Sequence, residues 1–257
     1  MDFARSRMVA PNIEYVTETG STNSDLISKA LNLPDFSVLV AGFQSAGRGR
    51  AGREWLAPAG SSLFVSVLLK PEGVTPTRFS WLPLMAGLAM NHAVSQMIAP
   101  NRSNLKWPND VLVGEQKLSG VLSELVPDLS GVVVGAGLNV LQSQDQLPIE
   151  NATSLLLSGA SETDIDVVLA EYLTKLKELY SKFVSANGDA VASGLRYSVI
   201  ENCGTLNRRV KAVMPGDTEV FGEAVGIDDS GRLILLREDT GQLLPVAAGD
   251  IVHLRHN

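Results

Sequence analysis

The chain has 257 residues, of which 45% are hydrophobic and 19% are charged, and its formal net charge is −7. This composition is typical of a globular protein with a sizeable core and room for a second, smaller domain. The acidic balance disfavours an extended nucleic-acid surface, which requires many lysines and arginines. The single cysteine, Cys203, cannot form an internal disulfide. Because the sequence has neither a signal-peptide core nor a long apolar run, it predicts a cytoplasmic protein that does not enter a membrane.

Apolar runs of strand length alternate with helical patterns over most of the chain. The long helices are predicted from length and from apolar residues at three- and four-residue spacing, and the short one follows a possible cap at Ser21 or Thr22. In chain order, the predicted elements are strand Ile13–Val16, helix Asp25–Leu31, strands Val38–Phe43 and Leu63–Leu69, helix Phe79–Ile98, strands Val111–Val113, Leu118–Leu125 and Val132–Val140, and helix Ile165–Val184.

After about Asn202 the sequence pattern changes to short β-like segments, which are separated by turn residues such as "PGD" and "DDSG". This pattern predicts a small β-barrel appended to an α+β domain, with the larger domain over residues 1–201 and the smaller over 202–257. The predicted strands of the smaller domain are Arg209–Val213, Glu219–Ile227, Arg232–Arg237, Gln242–Val246 and Ile251–Leu254.

The segment "QSAGRGRAGREW", Gln44 to Trp55, is rich in glycine and arginine. Glycine allows the backbone to approach a ligand closely, and the guanidinium groups of Arg48, Arg50 and Arg53 suit carboxylate or phosphate. The pattern favours an anion-binding loop. A solvated flexible loop and an RNA-binding patch of the arginine-glycine type stay open as alternatives.

The segment "LKWPNDVLVGEQKLSGVLSEL" is typical of strand, turn and strand, with Pro108 ending the first run and Gly114 marking a reversal. Lys106, Asp110 and Lys117 then lie near one end of a sheet. Two cations beside a carboxylate suit a nucleotide with its magnesium ion, which proteins typically hold through one or two carboxylates and the substrate phosphates. Surface salt bridging explains the same residues equally well.

The segment "VVVGAGLNV" is an apolar strand interrupted by Gly135 and Gly137 and followed by Asn139. Isolated glycines in a strand indicate a bulge or the close approach of another group. A plain buried strand is an equally good interpretation.

Five of these motifs, taken in order, resemble those of the biotin protein ligases. They are "STN" at Ser21–Asn23, "GRGRAGREW" at Gly47–Trp55, "KWPND" at Lys106–Asp110, "KLSGVLSE" at Lys117–Glu124 and "GAGLN" at Gly135–Asn139. The C-terminal part resembles the SH3-like domain of that family. Regulatory members carry an N-terminal winged helix-turn-helix, whereas 20 residues precede "STN" here, so the resemblance implies the ligase-only class.

The resemblance implies an α+β fold with a mixed-sheet catalytic domain and an SH3-like C-terminal β-barrel. It implies that biotin reacts with ATP and Mg²⁺ to give biotinyl-5′-AMP, and that the biotinyl group passes to a lysine of a biotin carboxyl carrier domain of an acyl-CoA or pyruvate carboxylase. ATP is a co-substrate, and no tightly bound cofactor is expected. We also expect no DNA binding, and a monomer or a weak homodimer.

The resemblance also implies roles for individual residues. The catalytic residues are expected to be Lys117, Arg48, Lys106 and Asp110, and magnesium ligation is expected from Asp110 and Asn139. Biotin binding is expected from Ser21, Thr22, Asn23, Gln44, Gly47, Arg48, Lys117 and Gly120. Adenylate or ATP binding is expected from Arg50, Arg53, Trp55, Lys106, Asn109 and Asn139.

A mixed anhydride such as biotinyl-5′-AMP hydrolyses readily, so the glycine-rich loop is predicted to close over it. Trp55, at the end of this loop, either anchors it by packing or belongs to the core. Two rival interpretations remain, a lipoate-protein ligase of the same fold and, more remotely, a nucleic-acid binder without enzymatic activity.

Overall fold

The computed structural model of the chain describes residues 2–99, 103–214, 216 and 218–254. Its larger part contains α1 (Ala4–Val9), β1 (Ile13–Val16), α2 (Thr22–Lys29), β2 (Ser37–Ala41), β3 (Ser62–Leu69), α3 (Trp81–Ser95), β4 (Ser103–Lys106), β5 (Asp110–Val113), β6 (Gln116–Leu125), β7 (Val132–Asn139), α4 (Ile165–Ser185) and α5 (Leu195–Asn202). Its smaller part contains β8 (Arg209–Met214), β9 (Thr218–Ile227), β10 (Leu233–Arg237), β11 (Leu243–Val246) and β12 (Asp250–His253).

The larger part is built on a seven-stranded sheet in the order β1-β2-β3-β7-β6-β5-β4. The β1–β2 pair is parallel and the other neighbouring pairs are antiparallel. The smaller part is an antiparallel sheet in the order β11-β10-β9-β8-β12. This mixed sheet with an appended β domain confirms the fold class predicted from the sequence.

Helices cover both faces of the seven-stranded sheet, which explains why β2 and β3 are buried along their whole length. Side chains alternate between the faces of a strand. Leu39 and Leu68 pack with α2 on one face, whereas Val38 and Val67 pack in the larger core on the other. In that larger core, α3 lies against the sheet and α4 packs against α3.

The predicted helix Phe79–Ile98 is too long, since α3 spans Trp81–Ser95. A 3₁₀ turn over Pro76–Arg78 precedes the helix. The flanking residues Phe79, Met97 and Ile98 are buried in the core, although they lie outside the helix. Their apolar character extended the helical pattern beyond the helix itself.

Helices α1 and α5 were not predicted from the sequence. The Asp166 carboxylate, at the start of α4, accepts hydrogen bonds from the backbone N–H of Arg5 (2.9 Å) and of Ser6 (3.0 Å). This contact joins residues that are 161 and 160 positions apart, so local sequence does not reveal it. Helix α5 follows Gly194, whose φ of 76° ends the preceding turn.

The strands of the smaller part agree with the prediction to within a few residues. The turn between β9 and β10 of the smaller part contacts two indole groups of the larger part. Trp81 Nε1 donates to Asp229 O, and Trp107 Nε1 donates to Gly231 O. The predicted boundary between residues 201 and 202 falls one residue before the end of α5. Over the described ranges, no helix is long and apolar enough to cross a membrane.

Candidate active site

A cavity of about 400 Å³ lies over the sheet face that carries α2. Strand register places Ser66, Gly135 and Leu122 in one row across this face. Gly137, Gly120 and Asp110 form another row. Every predicted site residue except Gly47 lines the cavity, namely Ser21, Thr22, Asn23, Gln44, Arg48, Arg50, Arg53, Trp55, Lys106, Asn109, Asp110, Lys117, Gly120 and Asn139.

One end of the cavity is neutral and buried; we call it the hydrogen-bonded end, made of Ser21, Thr22, Asn23 and Gln44. Gln44 Oε1 accepts from Thr22 N (2.8 Å) and from Thr22 Oγ1 (2.9 Å). Ser66 Oγ on β3 lies 2.8 Å from Thr22 Oγ1 and 2.6 Å from Asn23 Oδ1. None of the four residues is more than 9% exposed. Their positions are therefore fixed before any ligand arrives.

Asn23 explains one of the glycines of the "GAGLN" motif. Its side-chain Nδ2 donates to Leu122 O (3.1 Å) and to Glu124 Oε2 (2.8 Å). A Cβ atom at Gly135 would collide with the Asn23 carboxamide. Gly135 thus serves the close approach of α2 to β7, one of the two interpretations that the sequence allowed.

Trp55 lies over the middle of the cavity, against glycines of two strands. A Cβ atom at Gly137 would be 2.6 Å from Trp55 Cε2, and one at Gly120 would be 2.9 Å from Trp55 Cζ3. The ammonium of Lys117 lies 5.4 Å from the Trp55 ring centroid, within the range of a cation–π contact. The Trp55 Nε1 donor is buried and has no hydrogen-bond partner among the described residues. Trp55 therefore anchors the loop on the sheet.

The other end of the cavity carries charge; we call it the cationic end, made of Arg50, Lys106, Asp110 and Lys117. Lys117 Nζ lies 2.7 Å from Asp110 Oδ1. Burial lowers the pKa of Lys106 and that of Arg50 from their ordinary values, and the nearby Asp110 carboxylate opposes both shifts. Asp250 also opposes both pKa shifts, and on Arg50 it acts more strongly than Asp110 does, but it is paired with Arg53. The three cations of this end therefore exceed the negative charge beside them, which leaves net positive charge for an anionic ligand.

The segment Gln44–Trp55, which we call the glycine-arginine loop, contacts three parts of the molecule. Arg48 Nη2 lies 2.8 Å from Glu124 Oε2 on β6. Arg50 donates to Asn109 Oδ1 (2.9 Å) in the β4–β5 turn and to Gly249 O (3.3 Å) before β12. Arg53 pairs with Asp250 of the smaller part at 2.8 Å. Together the contacts of the three arginines hold the loop across the mouth of the cavity.

Gly47 is the predicted site residue that does not line the cavity. A Cβ atom there would be 2.5 Å from Trp55 O and 3.0 Å from Gln44 Nε2. The Trp55 N–H donates to Gly47 O at 2.9 Å. Gly47 thus supports the base of the loop, since only glycine allows its two sides to approach so closely.

The two asparagines have different surroundings. Asn109 Nδ2 donates to Val121 O (2.7 Å), which fixes the amide that faces Arg50. Asn139 is buried, and both ends of its carboxamide are engaged: Nδ2 donates to Thr153 O (3.0 Å) and Oδ1 accepts from Gln142 Nε2 (3.1 Å). This arrangement favours a supporting role for Asn139, and magnesium binding by it stays a prediction.

Comparisons with known proteins agree with this geometry. The Biotin/lipoate A/B protein ligase family matches residues 15–139, and the Biotin protein ligase C terminal domain matches residues 205–254. A biotin–acetyl-CoA-carboxylase ligase of Mycobacterium tuberculosis is 39% identical over 247 residues, which cover 95% of this chain and 89% of the relative. The chain belongs to the biotin protein ligase family.

Other members of the family are also similar over most of this chain. The bifunctional ligase/repressor BirA of Escherichia coli is 31% identical over 235 residues, covering 90% of this chain and 70% of that protein. The structure of the biotin protein ligase from Aquifex aeolicus in complex with biotin and ATP superposes with a TM-score of 0.78 at 30% identity, covering 95% of this chain and 99% of that one. The family's two domains thus account for both sheets.

Sequence reasoning missed the acidic partners of the arginines. Glu124 is the last residue of the "KLSGVLSE" motif, but its contacts with Arg48 and Asn23 depend on how α2 and the loop meet β6. Asp250 stands in the smaller part, 197 residues from Arg53. No local pattern around Asp250 indicates that it lines the cavity.

Proposed function

We propose that this chain is an ATP-dependent biotin protein ligase. It converts biotin to biotinyl-5′-AMP and transfers the biotinyl group to a lysine of a biotin carboxyl carrier domain. The observation that carries the proposal is one cavity with a neutral hydrogen-bonded end and a cationic end, joined across Gly120 and Gly137. The M. tuberculosis relative and the Aquifex complex support the same substrates.

The hydrogen-bonded end suits the ureido ring of biotin. That ring has one carbonyl acceptor and two N–H donors, and the hydroxyl of Thr22 and the amide of Gln44 offer both donor and acceptor groups. Lipoate carries a dithiolane ring without such groups. The dithiolane ring offers these groups no hydrogen bond in place of the water that it displaces, which disfavours lipoate.

The cationic end serves the first reaction. A carboxylate oxygen of biotin attacks the α-phosphorus of ATP, a new P–O bond forms, and the bond to the leaving pyrophosphate breaks. Both reactants are anions, so positioning and positive charge are the main requirements. We assign this role to Lys117, Lys106 and Arg50. Asp110 and the face of Trp55 hold the Lys117 ammonium in place.

Of the two predicted magnesium ligands, Asp110 is the one whose surroundings suit the ion. The Asp110 carboxylate lines the cavity with 18% of its side chain exposed, and a single carboxylate beside substrate phosphates is a common setting for Mg²⁺. The Asn139 amide oxygen is occupied by Gln142. Asp110 would therefore hold the ion that accompanies ATP, and the ion would shield the phosphate charge.

In the second reaction the acceptor lysine attacks the acyl carbon, the C–N bond forms, and AMP leaves. The mixed anhydride must be kept from water until then. The glycine-arginine loop, held over the mouth by its arginines, provides that cover and must open for the acceptor. Asp110 is the residue that we propose as the base for the amine.

The direct test incubates the protein with biotin, Mg-ATP and a biotin carrier domain, followed by intact mass spectrometry. We expect the carrier to gain one biotinyl group. A carrier whose acceptor lysine is replaced by arginine is the control and stays unmodified. A parallel reaction uses lipoate and a lipoyl domain. Transfer of lipoate without transfer of biotin would overturn the proposal.

Several expectations about partners stay predictions. The acceptor class is a carrier domain of an acyl-CoA or pyruvate carboxylase, and the name of the M. tuberculosis relative supports acetyl-CoA carboxylase. The expectations of no DNA binding, of a monomer or weak homodimer and of a cytoplasmic location are checked by gel shift, by sedimentation and by cell fractionation.

A further inference from the structure

The β4–β5 turn carries residues that we propose to bind the nucleotide. It is anchored by residues of the smaller part of the chain. Trp107 is 2% exposed and Thr205 is fully buried. The Trp107 backbone N–H donates to Thr205 Oγ1 at 3.0 Å. Lys106 and Asn109, which line the cavity, flank this anchored residue and its neighbour Pro108. The Thr205 hydroxyl is therefore one of the groups that fix the position of the turn, together with Gly231 O, which accepts from the Trp107 indole.

His253, on β12, fixes the orientation of that hydroxyl. His253 Nε2 lies 3.1 Å from Thr205 Oγ1, and 9% of the imidazole is exposed. Because Thr205 Oγ1 already accepts from Trp107, its own proton is free to donate to Nε2, provided that Nε2 carries no proton. The imidazole proton then sits on Nδ1, which lies 3.5 Å from Glu115 Oε2.

The surrounding charges favour this neutral state. Burial, together with the positive charges of Lys106 and Arg208, lowers the pKa of His253, and Glu115 opposes the shift. Arg208 Nη1 lies 2.6 Å from Glu115 Oε1 and 3.5 Å from His253 Nδ1. The Glu115 carboxylate is therefore paired mainly with Arg208 and stabilises a protonated His253 less. The Cys203 thiol also lies within hydrogen-bonding reach of the Thr205 hydroxyl and of the Trp107 N–H. Burial raises the pKa of this thiol, so it stays neutral and is a weaker acceptor than the imidazole.

We propose that His253 and Thr205 are positioning residues for the adenylation site. The neutral imidazole fixes the Thr205 hydroxyl, the hydroxyl fixes the Trp107 N–H, and the turn then presents Lys106 and Asn109 to the nucleotide. The inference rests on the proposed function, because ATP is the ligand that this turn would serve. The C-terminal part thereby acts on the reaction through His253 without His253 touching a substrate.

The test compares His253→Leu, which removes the acceptor, with His253→Gln, whose amide oxygen can replace it. Two measurements are made: single-turnover adenylation, and hydrogen exchange of the Trp107 amide. We expect His253→Leu and Thr205→Val to raise the KM for ATP about fivefold to tenfold, the effect of losing one hydrogen bond. The KM for biotin stays unchanged, and the Trp107 amide exchanges faster. His253→Gln restores both readouts.

The pH profile separates positioning from simple packing. A histidine whose folded pKa is lowered contributes fully above its ordinary pKa, near 6.5, and that contribution is lost as the pH falls from there towards the folded pKa. In the folded wild type the imidazole takes up a proton as the pH falls through its lowered pKa, so the KM for ATP rises in a range that lies below 6.5. His253→Gln lacks the part of this rise that comes from the imidazole, because the amide does not titrate, and comparing the two proteins cancels the titration of ATP itself.

Arg196→Leu is the matched control. Its guanidinium also joins the two parts of the chain, by donating to Ile227 O at 2.9 Å, but it does not line the cavity. This variant loses stability and keeps the wild-type KM for ATP. An unchanged KM for ATP and unchanged Trp107 exchange in folded His253→Leu and Thr205→Val would overturn the inference. Absence of biotin-dependent adenylation in the wild type would instead overturn the proposed function, while the exchange measurement would still decide whether His253 holds the turn.

Discussion

The two ends of the cavity satisfy their polar groups in opposite ways. At the hydrogen-bonded end, Thr22 and Gln44 are neutral, almost fully buried and bonded to each other. At the cationic end, the Lys117 and Asp110 side chains are 26% and 18% exposed and form an ion pair. At the hydrogen-bonded end these polar groups are paired with each other before a ligand binds. The cationic end, in contrast, holds more positive than negative charge.

This difference indicates how the work is divided. A rigid neutral end recognises a ligand by its donors and acceptors, and it contributes equally to the ground state and to the transition state. Charge that meets two anions matters most where those anions are closest, in the transition state. Substitutions at the hydrogen-bonded end should therefore change the KM for biotin, and those at the cationic end should change kcat.

The largest effect is expected for Lys117→Ala. If the ammonium lies between the biotin carboxylate and the α-phosphate, its removal lowers the adenylation rate by roughly 10²–10³-fold, the scale for one preorganised stabilising group. Lys117→Arg recovers part of the rate, because a planar guanidinium does not replace a compact ammonium. The measurement is single-turnover adenylation at saturating biotin and Mg-ATP.

A thermal melt controls for folding of the Lys117 variants. A lysine that merely forms a salt bridge would cost below about 1 kcal/mol of stability and leave turnover nearly normal. A well-folded Lys117→Ala with a near-wild-type rate would remove Lys117 from the chemistry and leave Arg50 and Lys106 as the sources of charge stabilisation.

The next largest effect is expected for Thr22→Val, which removes a hydroxyl and leaves Gln44 Oε1 with one donor fewer. A ureido group of biotin that is left without its hydrogen bond to this hydroxyl costs about 1–3 kcal/mol, so the KM for biotin should rise about tenfold to 100-fold. The kcat stays within about twofold, because the cationic end is intact. Thr22→Ser keeps the hydroxyl and serves as the control. An unchanged KM for biotin in Thr22→Val would place biotin recognition elsewhere.

A smaller effect on rate, but a clear one on retention, is expected for Arg50→Ala. The variant keeps the hydrogen-bonded end and still makes biotinyl-5′-AMP, but the loop loses its contacts with Asn109 and Gly249. Free adenylate should appear several-fold faster, on the scale of one or two charge-assisted hydrogen bonds, and should label lysines of a bystander protein. Release no faster than from the wild type would contradict a retention role for the loop.

The smallest effect is expected for Asp250→Asn. The ion pair with Arg53 is half exposed, with 58% of the arginine side chain and 48% of the aspartate side chain accessible. Exposed pairs contribute about 0–1 kcal/mol, so the KM for ATP should change by less than about fivefold. A change as large as that of Lys117→Ala would mean that Asp250 belongs to the cationic end.

Much of the fold could be predicted because its strands and α4 carry strong periodic signals. Helix α4 was predicted to within one residue, since its apolar stripe faces a continuous core. Helix α1 has six residues and depends on Asp166, which is far away in sequence. The prediction misplaced the ends of α3 because burial continues past the helix at Phe79 and Ile98. Tertiary contacts decide both cases.

The composition of the candidate site could also be predicted, since its motifs keep a recognisable order. Their pairings could not. The contact of Asn23 with Gly135 and that of Arg50 with Gly249 join segments that meet only after folding. His253 shows the limit most clearly, because nothing in its local sequence connects it with Trp107, and the link through Thr205 exists only once β12 packs beside the β4–β5 turn.

The division between the two ends is tested most directly by one rate measurement on three proteins. Single-turnover adenylation is followed in the wild type, Thr22→Val and Lys117→Ala while biotin is raised to saturation at fixed Mg-ATP. We expect Thr22→Val to reach about the wild-type rate at saturating biotin, and Lys117→Ala to stay roughly 10²-fold or more below it at every concentration. A rate in Lys117→Ala that recovers with biotin, or one in Thr22→Val that does not, would contradict that division.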